Sequence, residues 1–143
     1  ALRQTPEYSR RVWGSGDARH IQTEVQEAIL EYFDSGSAEE LGRIVEELHL
    51  SGAELVRFVR KLLVLGMECG EPDRALDAVS ELLGYFWTPE EVREAFDQLQ
   101  DLVPELVLDL PRCQLHAQNL VETACQRGLL EDSYLQSAGI SVV

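Results

Sequence analysis

The chain has 143 residues, enough for one domain around one core, and 45% of them are apolar. It carries 26 acidic against 12 basic residues, a formal net charge of −14, which argues against nucleic acid because phosphate binding rests on an excess of Lys and Arg. The same field favours encounter with a cationic protein surface, in a way that salt weakens. Cys69, Cys113 and Cys125 form no C-x-x-C pair and match no His spacing, so neither a disulfide framework nor a zinc site is indicated and reduced intracellular thiols are expected. No apolar run approaches the roughly 20 residues of a membrane span, and no leader-type pattern opens the chain, so a soluble protein is expected. The first residue is Ala1 rather than Met, which suggests a piece of something longer.

Residues 1–19 read as an arm or linker, with Arg3, Arg10, Arg11 and Arg19 against only Glu7 and Asp17, ending in Val12-Trp13-Gly14-Ser15-Gly16-Asp17. Residues 20–135 are periodic and acidic, and 136–143 form a short tail. From Ile21 the apolar positions Val25, Ala28, Ile29, Tyr32 and Phe33 fall on one helical face, closed by Ser35-Gly36. Ser37 with Glu40 is a capping box that opens a short second helix over Leu41, Ile44, Val45 and Leu48. Leu55, Val56, Phe58, Val59, Leu62, Leu63 and Met67 cover a wide arc, the pattern of a central helix buried on several sides. Gly70 and Pro72 interrupt it, and a fourth helix runs over Ala75, Leu76, Val79, Leu82, Leu83 and Phe86. Thr88-Pro89-Glu90-Glu91 combines an N-cap, proline at the first helical position and a capping-box glutamate before Val92, Phe96 and Leu99. Pro104 and Pro111 bracket Glu105 to Asp109, a stretch too short for much regular structure, before a last helix over Leu115, Leu120, Val121, Ala124 and Cys125 closed by Gly128. The fold class is therefore all-α, six or seven helices joined by short loops as stacked antiparallel hairpins, with no room for a sheet.

The case for catalysis is thin. His20, His49 and His116 are scattered over separate elements with no motif around them, and nothing pairs a nucleophile with a base, so no enzyme and no cofactor is expected. Glu105 and Asp109, four apart, would offer a carboxylate pair for acid–base work or a hard cation, but no Gly-bearing loop with alternating oxygen ligands accompanies them, and no metal site is expected. The bland alternative is a pair of solvated acids near a turn. Their placement argues for more. Glu31 is expected in the last turn of the first helix and Glu68 at the end of the third, where the helix dipole is negative and a carboxylate is mildly unfavourable. In a stack of hairpins the C-terminal ends of helices one, three and five emerge along one edge, so Glu31, Glu68 and the Glu105–Asp109 connection would form an acidic strip. Its natural complement is arginine, whose planar fork pairs bidentately with carboxylates.

The segments Ile29-Leu30-Glu31-Tyr32-Phe33-Asp34-Ser35-Gly36, Ala78-Val79-Ser80-Glu81-Leu82-Leu83, Asp101-Leu102-Val103-Pro104-Glu105-Leu106-Val107-Leu108-Asp109-Leu110-Pro111-Arg112 and Arg127-Gly128-Leu129-Leu130 together resemble the MA-3 domain family. The resemblance covers about residues 21–134, and the L-x-L-D-x-P segment is its specific part. The arm is similar too, since a Val-Trp-Gly-Ser-Gly string precedes an MA-3 domain in the tandem type of the family. The resemblance implies a stack like that of HEAT repeats. It further implies a partner, the N-terminal domain of the DEAD-box RNA helicase initiation factor 4A, which such domains hold inactive and away from RNA. The contact positions it implies are Glu31, Glu68, Glu105, Asp109 and Pro111. It also implies an intracellular place, cytoplasmic or nuclear, and a second such domain in the same parent chain, where linkage would raise the effective concentration.

Two functional readings stand beside each other. One is a translation regulator that binds the helicase through the acidic edge. The other is a scaffold module that joins other proteins, or copies of itself, through an apolar concave surface. Direct RNA binding through Arg10 and Arg11 of the arm is a third. Trp87, beside the Thr88 cap, is expected in the core or in a staple, while Trp13 either docks the arm or stays free for a partner.

Overall fold

Capping chemistry marks several of the helix ends. The computed structural model describes residues 19–134, so the arm with Arg10, Arg11 and Trp13 and the tail from 136 onward lie outside the described residues. Six helices follow in order: α1 (Arg19–Ser35), α2 (Ala38–Leu48), α3 (Gly52–Cys69), α4 (Pro72–Leu82), α5 (Pro89–Leu106) and α6 (Cys113–Gln126). Gly36 ends α1 in the left-handed region (φ +77°), where its N–H donates to Tyr32 O at 2.7 Å, a conformation glycine adopts without a Cβ penalty. Ser37 then caps α2 by accepting from Glu40 N–H, while the Glu40 carboxylate pairs with Arg43 on the helix surface, so the expected box is half made. Full capping boxes open α3 (Ser51 with Glu54) and α5 (Thr88 with Glu91, Pro89 at the first position).

The hairpins α1–α2, α3–α4 and α5–α6 stack so that α1, α3 and α5 touch in one layer and α2, α4 and α6 in the other. This is the expected all-α architecture, and among the described residues the only sheet-like pairing is an isolated bridge between Leu83 and Trp87. Helix α3 is the axis of the stack, touching α1, α4, α5 and α6. Every residue from Phe58 to Met67 is buried, which is why its apolar pattern has no clean polar side. At Gly66 an added Cβ would stand 2.7 Å from Ala75 Cβ, so the close approach of α3 and α4 depends on the missing side chain.

Two expectations are corrected. The fourth helix ends at Leu82, not beyond it, because Leu83 turns extended and Gly84 takes a left-handed φ of +86°. This lets Gly84 N–H donate to Trp87 O (2.8 Å) and drops Trp87 into the core, where its Nε1 donates to Val79 O (3.0 Å) and its ring stacks on Phe58 with centroids 5.9 Å apart. Pro104 does not end α5, which continues to Leu106. Pro104 lacks its own donor, but Val107 N–H still donates to Val103 O (3.0 Å) and fully buried Leu106 holds the last turn to the core.

Candidate functional site

The orientation of the odd-numbered helices follows from contacts between neighbouring helices. Tyr32 Oη, near the end of α1, donates to Arg74 O (2.7 Å), and Arg74 Nη1 donates back to Phe33 O (3.2 Å). Arg74 lies in the first turn of α4, just after the end of α3, so the C-terminal ends of α1 and α3 are neighbours. At the other end a Cβ on Gly52, the first residue of α3, would meet Glu91 in the first turn of α5 at 3.2 Å. Arg60 Nη1 donates to Gln98 Oε1 (2.7 Å) midway along both helices. With starts and middles matched, α3 and α5 run parallel, and the rise of a helix carries Glu68 and Glu105 about 11 Å further to the same end.

All five sequence-predicted residues therefore lie toward one edge of the stack. Glu105, Asp109 and Pro111 form one continuous segment, the last turn of α5 and the turn into α6. Glu68 follows on α3 and Glu31 on α1, the neighbouring helix of the same layer. Because α1 runs to Ser35, Glu31 stands one turn before its end and Asp34 occupies the last turn. Glu31, Glu105 and Pro111 are exposed, and Glu68 and Asp109 are half-buried. None of the six helices has a basic residue in its last turn, so the negative pole of each dipole is not offset from within its own helix. The edge can hold cations in the form of arginine or lysine side chains. Among the described residues no group of three His, Cys, Asp or Glu is arranged to hold a metal ion, and no helix is long and apolar enough to cross a membrane.

Three features at this edge or behind it escaped the sequence reading. Lys61 is 1% exposed, in the middle of α3; burial pushes its pKa down to about 8, against the attraction of Glu68 two turns on and with the repulsion of Arg60 beside it. The signal was available, because a helix apolar over so wide an arc has no solvent face on which to place Arg60 and Lys61 both. Arg74, bonded to the end of α1 and 3.6 Å from Glu71, is set by tertiary packing and left no local signal. Leu108 is 79% exposed within the turn itself. Tyr32, behind the edge, has its pKa raised to about 12 by burial first and by Asp77 and Glu81 second. Its hydroxyl therefore stays a donor.

The fold and edge define a helical-hairpin stack with an acidic end built from helix C-termini. The family model for the MA3 domain matches residues 21–131, and the chain belongs to that family. It is 26% identical over 120 residues to programmed cell death protein 4 of Gallus gallus and 26% identical over 122 residues to that of Homo sapiens, alignments that take in 83% and 85% of this chain. It is also 26% identical over 131 residues, 89% of its length, to MA3 domain-containing translation regulatory factor 3 of Arabidopsis thaliana. The chain spans 26% of the length of the first two relatives and 18% of the third.

Proposed function

We propose that this MA3 domain is a translation-regulatory binding module whose acidic edge engages an arginine-bearing surface on the N-terminal domain of the DEAD-box RNA helicase initiation factor 4A. The observation that carries the reading is the convergence of Glu31, Glu68, Glu105, Asp109 and Pro111 on one edge, from three hairpins widely separated in sequence. Helix ends that are already negative gain nothing in stability from further carboxylates, so a partner's cations give these residues a purpose that folding does not. The net charge of −14 would speed encounter with such a surface and make the rate fall with salt. Binding would act by holding the helicase domains in one arrangement, since a ligand shifts a conformational equilibrium by its differential affinity for the two states.

The test is titration calorimetry of the domain with the isolated N-terminal domain of initiation factor 4A, for the native sequence and for Glu105→Ala with Asp109→Ala. Removing one side of a buried charge pair weakens binding by roughly 30-fold or more, and that loss is expected with the circular dichroism melt unchanged. Failure of the folded native domain to bind would refute the reading. Assembly through another surface would survive Asp109→Lys, which abolishes helicase binding under the present reading.

A further inference from the structure

The turn between α5 and α6 holds an apolar feature between its acids. Leu108 is 79% exposed, and Pro111 and Leu115, the latter 51% exposed, follow it in the turn and the first turn of α6. The only more exposed large apolar side chain among the described residues, Tyr85, belongs to the turn before α5, at the opposite edge. The turn is not loose. Leu108 N–H donates to Glu105 O (3.2 Å), Asp109 and Leu110 N–H both donate to Leu106 O (3.0 and 2.8 Å), and Cys113 N–H donates to Leu110 O (2.8 Å). Leu106 and Cys113, both fully buried, fix it at either end. A leucine displayed in water by a turn whose backbone is satisfied contributes little to the fold, and its hydration cost is recovered only when something covers it.

Resting on the reading of this edge as the partner-binding site, we propose that Leu108 is the apolar anchor of the interface and that it enters a hydrophobic pocket rimmed by arginine on the partner. Charge complementarity selects that chemistry. Glu105 lies three residues before the leucine and Asp109 directly after it, so carboxylates flank the apolar tip and call for cations around the pocket that receives it. An apolar centre with a charged rim is the general anatomy of a protein interface. The rim sets encounter rate and orientation, while the anchor sets how long the complex lasts. The two contributions respond differently to salt: rim pairs weaken as the screening length falls to about 3 Å near 1 M, whereas apolar burial does not.

The experiment titrates native, Leu108→Ala, Leu108→Met and Asp109→Ala domains with the N-terminal domain of initiation factor 4A at low and at high potassium chloride. Leu108→Ala should weaken binding by about 10- to 50-fold, the worth of one leucine side chain removed from water, and by the same factor at both salt concentrations. Leu108→Met should bind within a few-fold of native, and the Asp109→Ala loss should shrink at high salt. Native-like affinity for Leu108→Ala beside a weakened Asp109→Ala would overturn the anchor and leave the edge reading standing. A melting temperature lowered in proportion to the lost binding would make Leu108 a structural residue and overturn it as well. Absence of binding by the folded native domain would remove both proposals together.

Discussion

Replacing Lys61 by Met should stabilise the domain, and by an amount that depends on pH in a defined way. The amine lies 1% exposed inside α3, and burial brings its pKa from 10.5 in the free side chain to about 8. Between those two values the unfolded chain binds the proton more tightly than the fold does. Stability therefore rises with pH across the window from about 8 to 10.5 and is lost as pH falls back through 8. The gap corresponds to roughly 3 kcal/mol, of which about 2.5 kcal/mol is traversed between pH 7 and pH 10. Methionine has similar length and no charge, so Lys61→Met removes the cost at neutral pH; apolar replacements of buried charges are often stabilising. Urea denaturation followed by circular dichroism should give a variant more stable than native by about 2 to 3 kcal/mol at pH 7, with the difference nearly closed at pH 10. Cys113, whose pKa burial raises to about 11, titrates in the same range with the opposite sign, but it is present in both proteins and cancels in the difference. A stability gap that is the same at both pH values would refute the argument, as would a less stable variant at pH 7, which would mean that the attraction of Glu68 outweighs the cost of burial.

Two further perturbations probe the packing that holds the edge in place. Gly66→Ala forces a Cβ to within 2.7 Å of Ala75 Cβ and should cost about 1 to 2 kcal/mol in urea denaturation, because the strain of overpacking two rigid helices exceeds the better helix propensity of alanine. Trp87→Phe removes the donor to Val79 O and part of a fully buried ring. It should lower stability by about 2 to 4 kcal/mol through the unsatisfied carbonyl and the void together, and an unchanged denaturation midpoint would contradict this account.

Most helices were legible because their ends are written locally. Thr88-Pro89-Glu90-Glu91 specifies its own start, and the structure makes both bonds of that box. The expectation failed where tertiary packing outweighs local preference. Pro104 reads as a stop, yet the buried Leu106 two residues on keeps the chain helical. Phe86 continues an apolar period on paper, but Gly84 diverts the chain so that Trp87 can fill the space beside Phe58. At the edge, Glu31 and Glu68 were found by asking which acids sit where a helix end disfavours them, Glu105 and Asp109 by their four-residue spacing in the connection that follows the fifth helix, and Pro111 by the family resemblance alone. Arg74 answers no such question, because its bond to Phe33 O exists only once two hairpins have stacked.

That last bond bears on how the edge stays acidic without being unstable. Cations near a helix C-terminus usually come from the helix itself, and here none does. The compensating charges are supplied from adjoining positions in the stack. Arg74 reaches from the first turn of α4 to a carbonyl at the end of α1, and Lys61 lies two turns below Glu68 inside α3. Lys61 acts from within the stack, so it offsets the edge electrostatically while occupying almost none of its outer surface. The carboxylates of Glu31 and Glu105 remain exposed to a partner, and Leu108 stands beside Asp109 in a turn that the core keeps rigid. Half-buried Arg74 beside the edge and buried Lys61 behind it thus leave Glu31, Glu105 and Leu108 at the outer surface.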